Sequence, residues 1–123
     1  ATFAGSVLAG GRLETHTGTS DGALINSNLV TSSSTTTTVI SVLGSTYTAA
    51  FFDYLIKNGT NVRAGTVTAV HDGTNVEFNE TSTVDLGDTS DVTLSVDLAV
   101  SNLNLKATTT SSNWTIKSLV RAI

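Results

Sequence analysis

His16 and His71 are the only histidines in a 123-residue chain that has no cysteine, so reactive chemistry would have to come from them, ten carboxylates and many hydroxyls. The nearest approach to a catalytic arrangement is His71 beside Asp72, with one of the many serines as nucleophile. Adjacent residues on a strand point to opposite faces, which argues against direct pairing. Two separated histidines without cysteine leave a zinc ligand set short. Asp85, Asp88 and Asp91 recur every three residues in Asp85-Leu86-Gly87-Asp88-Thr89-Ser90-Asp91, a weak calcium candidate loop whose spacing does not match an EF-hand. Asx-turn bonding by the same aspartates is the plainer reading. Glycoside hydrolysis needs a placed pair of carboxylates, and the sequence places none. The expectation is a protein that is not an enzyme, with no catalytic residue, cofactor or firm metal site.

Binding chemistry is thinner still at the level of motifs. Asn58-Gly59-Thr60, Asn79-Glu80-Thr81 and Asn113-Trp114-Thr115 fit the N-glycosylation pattern, but such matches arise by chance in a chain so rich in Asn and Thr. Tyr47, Tyr54 and Trp114 could stack on a carbohydrate, although the phase of Trp114 with Ile116 and Val120 places it on the apolar side of a strand. The polar turn His71, Asp72, Thr74 and Asn75 is the candidate for surface recognition.

The elements that must position these residues follow from composition. With 23 threonines, 15 serines and only 13% charged residues, the surface is polar but sparsely charged. Threonine's branched Cβ favours the pleated strand over the helix. The formal net charge is −4 and no Lys/Arg cluster occurs, which argues against nucleic acid. No apolar run approaches the ~18 residues of a membrane-spanning helix, so no membrane span is expected. The N-terminus has neither an initiator Met nor a basic stretch followed by an apolar block, as expected of a processed or trimmed product.

From Thr36 onward, period-2 alternation persists and turns recur at roughly 8–12 residues, the spacing of a sandwich or barrel. Seven strands are expected: 36–43, 49–57, 62–71, 76–81, 92–99, 103–109 and 114–123. Phe52, Tyr54 and Ile56 share one face of the second strand, with Phe51 and Leu55 on the other. Asn58-Gly59-Thr60-Asn61 and Asp72-Gly73-Thr74-Asn75 are hairpin turns because Asn and Gly tolerate positive φ. The fold class is thus all-β, an antiparallel β-sandwich, jelly-roll-like, of about seven strands over residues 36–123. Residues 1–35 read as an extended Gly/Ser/Thr-rich arm that docks on its own domain or on a neighbouring copy.

Several landmarks lie between Thr35 and Ile123: Thr35-Thr36-Thr37-Thr38-Val39-Ile40, Thr46-Tyr47-Thr48-Ala49-Ala50, His71-Asp72-Gly73-Thr74, Glu80-Thr81, and the ending Thr115-Ile116-Lys117-Ser118-Leu119-Val120-Arg121-Ala122-Ile123. On these the stretch resembles the C-terminal domain of virion structural and tail fibre proteins of tailed bacteriophages, including those of cyanobacteria and other marine hosts. Where that family often has a Gly-Gly-Asn turn, this chain has Val100-Ser101-Asn102. The resemblance implies a bacteriophage virion structural protein located on the particle. A tail fibre or appendage domain is the expected form, homo-oligomeric with a trimer favoured, contacting other virion proteins and a host-surface glycan or protein. The alternative is a capsid decoration protein or extracellular filament subunit whose N-terminal arm exchanges strands.

Overall fold

A computed structural model of the chain describes residues 13–17 and 20–123. Residues 1–12 of the N-terminal arm, the Gly18-Thr19 pair and the side chains of Thr15, His16, Thr17, Ser20 and Asp21 lie outside that description.

Two antiparallel sheets pack face to face, and nine strands are formed among the described residues. They are β1 (Leu13–Thr17), β2 (Ser20–Ser32), β3 (Thr36–Leu43), β4 (Ala49–Asn58), β5 (Asn61–His71), β6 (Val76–Ser82), β7 (Val92–Ala99), β8 (Asn102–Thr109) and β9 (Trp114–Ala122). The larger sheet has the order β1-β2-β9-β4-β5-β6 and the smaller β3-β8-β7. The all-β sandwich expected from alternation is the architecture observed, and each of the seven expected strands is present.

Alternation decides which side chains fill the space between the sheets. Phe52, Tyr54 and Ile56 of β4 face inward beside Val67 and Ala69 of β5 and Trp114, Ile116 and Val120 of β9. Val92, Leu94 and Val96 of β7 with Leu103, Leu105 and Ala107 of β8 close the core from the smaller sheet. Tyr47, Tyr54 and Trp114 are all buried, so none of the three aromatics offers a carbohydrate-stacking surface.

Residues 20–32, within the N-terminal arm, form β2, which pairs along most of its length with β9 of the same chain, from Leu24↔Ala122 to Ser32↔Trp114. Its inward positions include Asn28 and Ser32, and both have specific partners. A bulge in β3 inserts Val39 between the pairs Thr38↔Lys106 and Ile40↔Leu105, and Asn28 Nδ2 donates to the Val39 carbonyl at 2.8 Å. Ser32 Oγ lies 3.0 Å from Thr109 Oγ1, and Thr37 Oγ1 donates to Ser32 Oγ at 3.2 Å. The hydroxyl-rich tract is therefore a corner where the chain changes sheet, and its side chains replace the ladder bonds lost there.

The β7–β8 hairpin carries a conformational penalty. Ala99 pairs with Asn102, leaving Val100 and Ser101 as a two-residue loop with φ of 53° and 61°. Two positive φ angles suit Asn-Gly, whereas a β-branched residue there is an outlier. We expect the double substitution Val100→Asn and Ser101→Gly to stabilise the fold by about 1–2 kcal/mol, read as a higher urea midpoint at unchanged m-value. An unchanged or lower midpoint would contradict this account of the turn.

Candidate functional site

The four residues of the polar turn divide into two groups. His71 ends β5 and is buried, its ring caught between two backbone groups: Nε2 donates to the Tyr47 carbonyl at 2.7 Å and Nδ1 accepts from the Gly73 N–H at 3.0 Å. Those two bonds use Nε2 as the donor and Nδ1 as the acceptor. The solvated rim position suggested by the sequence is replaced by a structural pin, because β5 turns its odd-numbered residues inward. Asp72, Thr74 and Asn75 remain exposed, and Asp72 organises the turn. Its Oδ1 accepts from the N–H groups of Thr74 at 2.9 Å and Asn75 at 2.7 Å.

Those bonds hold the Asp72 carboxyl at a pKa of about 2, the Asn75 N–H being the largest cause and the Thr74 N–H the next. Asp85, Asp88 and Asp97 are lowered in the same direction by hydrogen bonds from Thr89, Ser90 and Asn104. Depressed folded-state values contribute stability that is complete above the unfolded carboxylate value near 4 and is lost as pH falls through the folded values. The melting temperature should accordingly decline as pH falls from about 4 toward 2. Asp72→Asn, which keeps the turn acceptor but cannot titrate, should make that decline shallower; an equal decline would contradict the assignment.

The three aspartates of the candidate calcium loop each serve a different partner. Asp85 Oδ2 accepts from Thr89 N at 3.0 Å and Thr89 Oγ1 at 2.7 Å. Asp88 Oδ1 accepts from Ser90 N at 2.9 Å, and Asp91 Oδ2 from Ser111 Oγ at 2.6 Å. Among the described residues no group of three His, Asp or Glu side chains is placed to hold a metal ion.

Beneath this loop lies a polar cluster not singled out in the sequence. Arg63, on the inward phase of β5, donates from Nη1 to Thr89 Oγ1 at 2.9 Å and from Nη2 to the Val92 carbonyl at 3.1 Å. Its Nε lies 3.4 Å from Glu80 Oε2, and its guanidinium sits 6.0 Å from the centre of the Tyr54 ring. The Tyr54 hydroxyl donates to the Glu80 carboxylate. Burial, and then that bond, push the phenol up to about 12. Gly65 makes room: a Cβ there would overlap the Thr81 carbonyl and lie 2.8 Å from Tyr54 Oη. The cluster ties the loop to both sheets. The sequence signal was available, since a charge at position 63 shares its phase with Val67 and Ala69.

The outer face of the larger sheet carries several exposed apolar side chains. Cross-strand register forms three rows over β2, β9 and β4: Ile25–Arg121–Phe51, Ser27–Leu119–Asp53 and Leu29–Lys117–Leu55. Leu13 lies beside Ile25 on β1. The exposures of Leu13 (50%), Ile25 (42%), Leu29 (55%), Leu55 (38%) and Leu119 (43%) are high for large aliphatic side chains on one sheet face. Large aliphatic side chains gathered on one sheet face make it a candidate interaction surface. Lys57, Lys117 and Arg121 are interleaved with these residues, Arg121 standing 5.0 Å from the Phe51 ring centre. Asp53, which accepts from Thr66 Oγ1 at 2.7 Å, is the one carboxylate in those rows. Ser27, Asp53, Leu55, Lys117 and Leu119 line a shallow trough across the strands.

No protein-family model matches the chain, and no curated protein matches it in sequence. Among solved structures, it is similar to the tailspike protein of Acinetobacter phage vB_ApiP_P1, at a TM-score of 0.42 and 13% identity. This is a distant structural likeness to a phage tail protein. The match covers 100% of this chain and 24% of that one, so the chain spans about a quarter of the tailspike's length.

Proposed function

We propose that this chain is a non-catalytic structural domain of a bacteriophage virion. It is carried on a tail fibre or related appendage, where it forms a homo-oligomer, with three copies as the expected order, and contributes to attachment at the host surface. The observation that carries the reading is the outer face of the larger sheet, where five exposed aliphatic side chains from four strands form one surface. A face of that kind is covered when copies assemble, and repeated copies raise avidity for a surface ligand. The phage landmarks between Thr35 and Ile123 supply the virion setting. Sedimentation velocity over a concentration series tests the assembly. The reading expects a species near three times the 12.7 kDa chain mass, and a 12.7 kDa species at every concentration would overturn it.

Strand exchange through the N-terminal arm is a second reading, for a capsid decoration or filament subunit. It is favoured by β2, whose inward positions are partly polar and which an identical strand of another copy could replace on β9. Leu55→Ser with Leu119→Ser, changes on β4 and β9 that leave the arm untouched, leaves assembly intact in that case and abolishes it if the sheet face alone is responsible.

A further inference from the structure

Resting on the assembly reading above, we infer that the segment 83–88 of one copy seats in the trough over β9 and β4 of a second copy. The segment is an acidic and apolar ridge. Val84 is 92% and Leu86 68% exposed, flanked by Asp85 and Asp88. It is also rigid. Leu86 N donates to the Val62 carbonyl at 2.9 Å and Val62 N to the Leu86 carbonyl at 2.8 Å. Thr83 N donates to the Ala64 carbonyl at 2.8 Å, and Asp88 N to Asn61 Oδ1 at 2.9 Å. An exposed apolar side chain on a pinned backbone loses little conformational freedom on binding.

Placement makes ridge and trough parts of one surface. Leu86 stands directly opposite Val62 in an antiparallel bridge, so both side chains lie on the same face of the sheet. Val62 is paired with Lys57, which belongs to the outer face with Leu55 and Phe51. The ridge is therefore a raised margin of the face that holds the trough. Within one chain they stand apart: β5 separates the ridge from the β4 wall of the trough by about 10 Å, and the β9 wall is about 14 Å away at the usual strand spacing.

Chemistry selects a second copy as the occupant. Among the described residues of β2, β9 and β4 on this face, Lys57, Lys117 and Arg121 stand against the one carboxylate of Asp53, in a chain whose formal net charge is −4. The ridge presents the opposite charge, with Leu86 and Val84 to meet Leu29, Leu55 and Leu119. Complementary charge around an apolar centre sets register and suppresses wrong pairings.

Charge exchange is the test, on the 123-residue chain by sedimentation velocity, with circular dichroism melts confirming that each variant is folded. Lys117→Glu and Asp88→Lys should each weaken association at least tenfold, and K117E/D88K should restore it to within about threefold of wild type. Leu86→Ser, a change at an exposed side chain, should weaken association at least tenfold without lowering the melting temperature. If wild type assembles and these single variants assemble equally well, or if the double variant is as dissociated as either single one, the ridge-to-trough contact is overturned. The assembly reading survives that result. A wild-type chain that stays monomeric overturns both.

Discussion

Replacing Arg63 with alanine should lower the unfolding free energy by about 2–4 kcal/mol, the scale expected when the charge-assisted hydrogen bonds of a largely buried guanidinium are removed while its carboxylate partner stays solvated. The size follows from what the guanidinium satisfies: the Thr89 hydroxyl, the Val92 carbonyl and the Glu80 carboxylate, which lie on three different segments. Lysine at this position should recover less than half of the loss, because an ammonium cannot reproduce the planar fork. Glu80→Gln should cost less, and the double variant R63A/E80Q should be less damaging than the two single losses added, since the carboxylate that loses its cationic neighbour in R63A is then neutral. Urea unfolding of the four variants gives the coupling directly. Strict additivity would contradict the network.

Phe52→Ala should have an effect of similar size for a different reason. The ring is fully buried between Val67 of β5 and Val120 of β9, and its removal leaves a cavity in the centre of the larger sheet. The expected loss is about 3–5 kcal/mol. For a domain of this length that corresponds to a fall in melting temperature on the order of 10–20 °C. Phe52→Leu should lose no more than about 1.5 kcal/mol, because most of the volume is kept. Phe51→Ala, one residue away on the outer face, should change the melting temperature little while weakening assembly. Equal thermal losses at positions 51 and 52 would mean that the two faces of β4 are not distinguished as described.

That contrast was legible in the sequence, because a half-buried strand writes its two faces into alternate positions. The same logic located the strands from Thr36 to Ile123 and their Asn-Gly and Asp-Gly turns. It failed at β2 for a definite reason. There Ile25 and Leu29 point outward, while Asn28 and Ser32 point inward toward a bulge carbonyl and a threonine on other strands. Those partners lie 11 and 77 residues away in sequence, so no local pattern announces them.

The outer face was legible only in part. Leu55 could be assigned to the side opposite Phe52, Tyr54 and Ile56, but its neighbours come from β2 and β9, and cross-strand register is not written in one strand. His71 illustrates the opposite error. Its place beside a polar turn suggested exposure, whereas strand phase, which put it with Val67 and Ala69, gave its burial.

The central claim, that the outer face of the larger sheet is the surface covered on assembly, is tested most directly by hydroxyl-radical footprinting of the assembled chain and of the same chain diluted to its dissociated state. Leu55, Leu119 and Leu86 should be labelled several-fold less in the assembled sample, while Val100 and Phe78, exposed elsewhere, should be labelled equally in both. Equal labelling of Leu55 and Leu119 in the two samples would contradict the account.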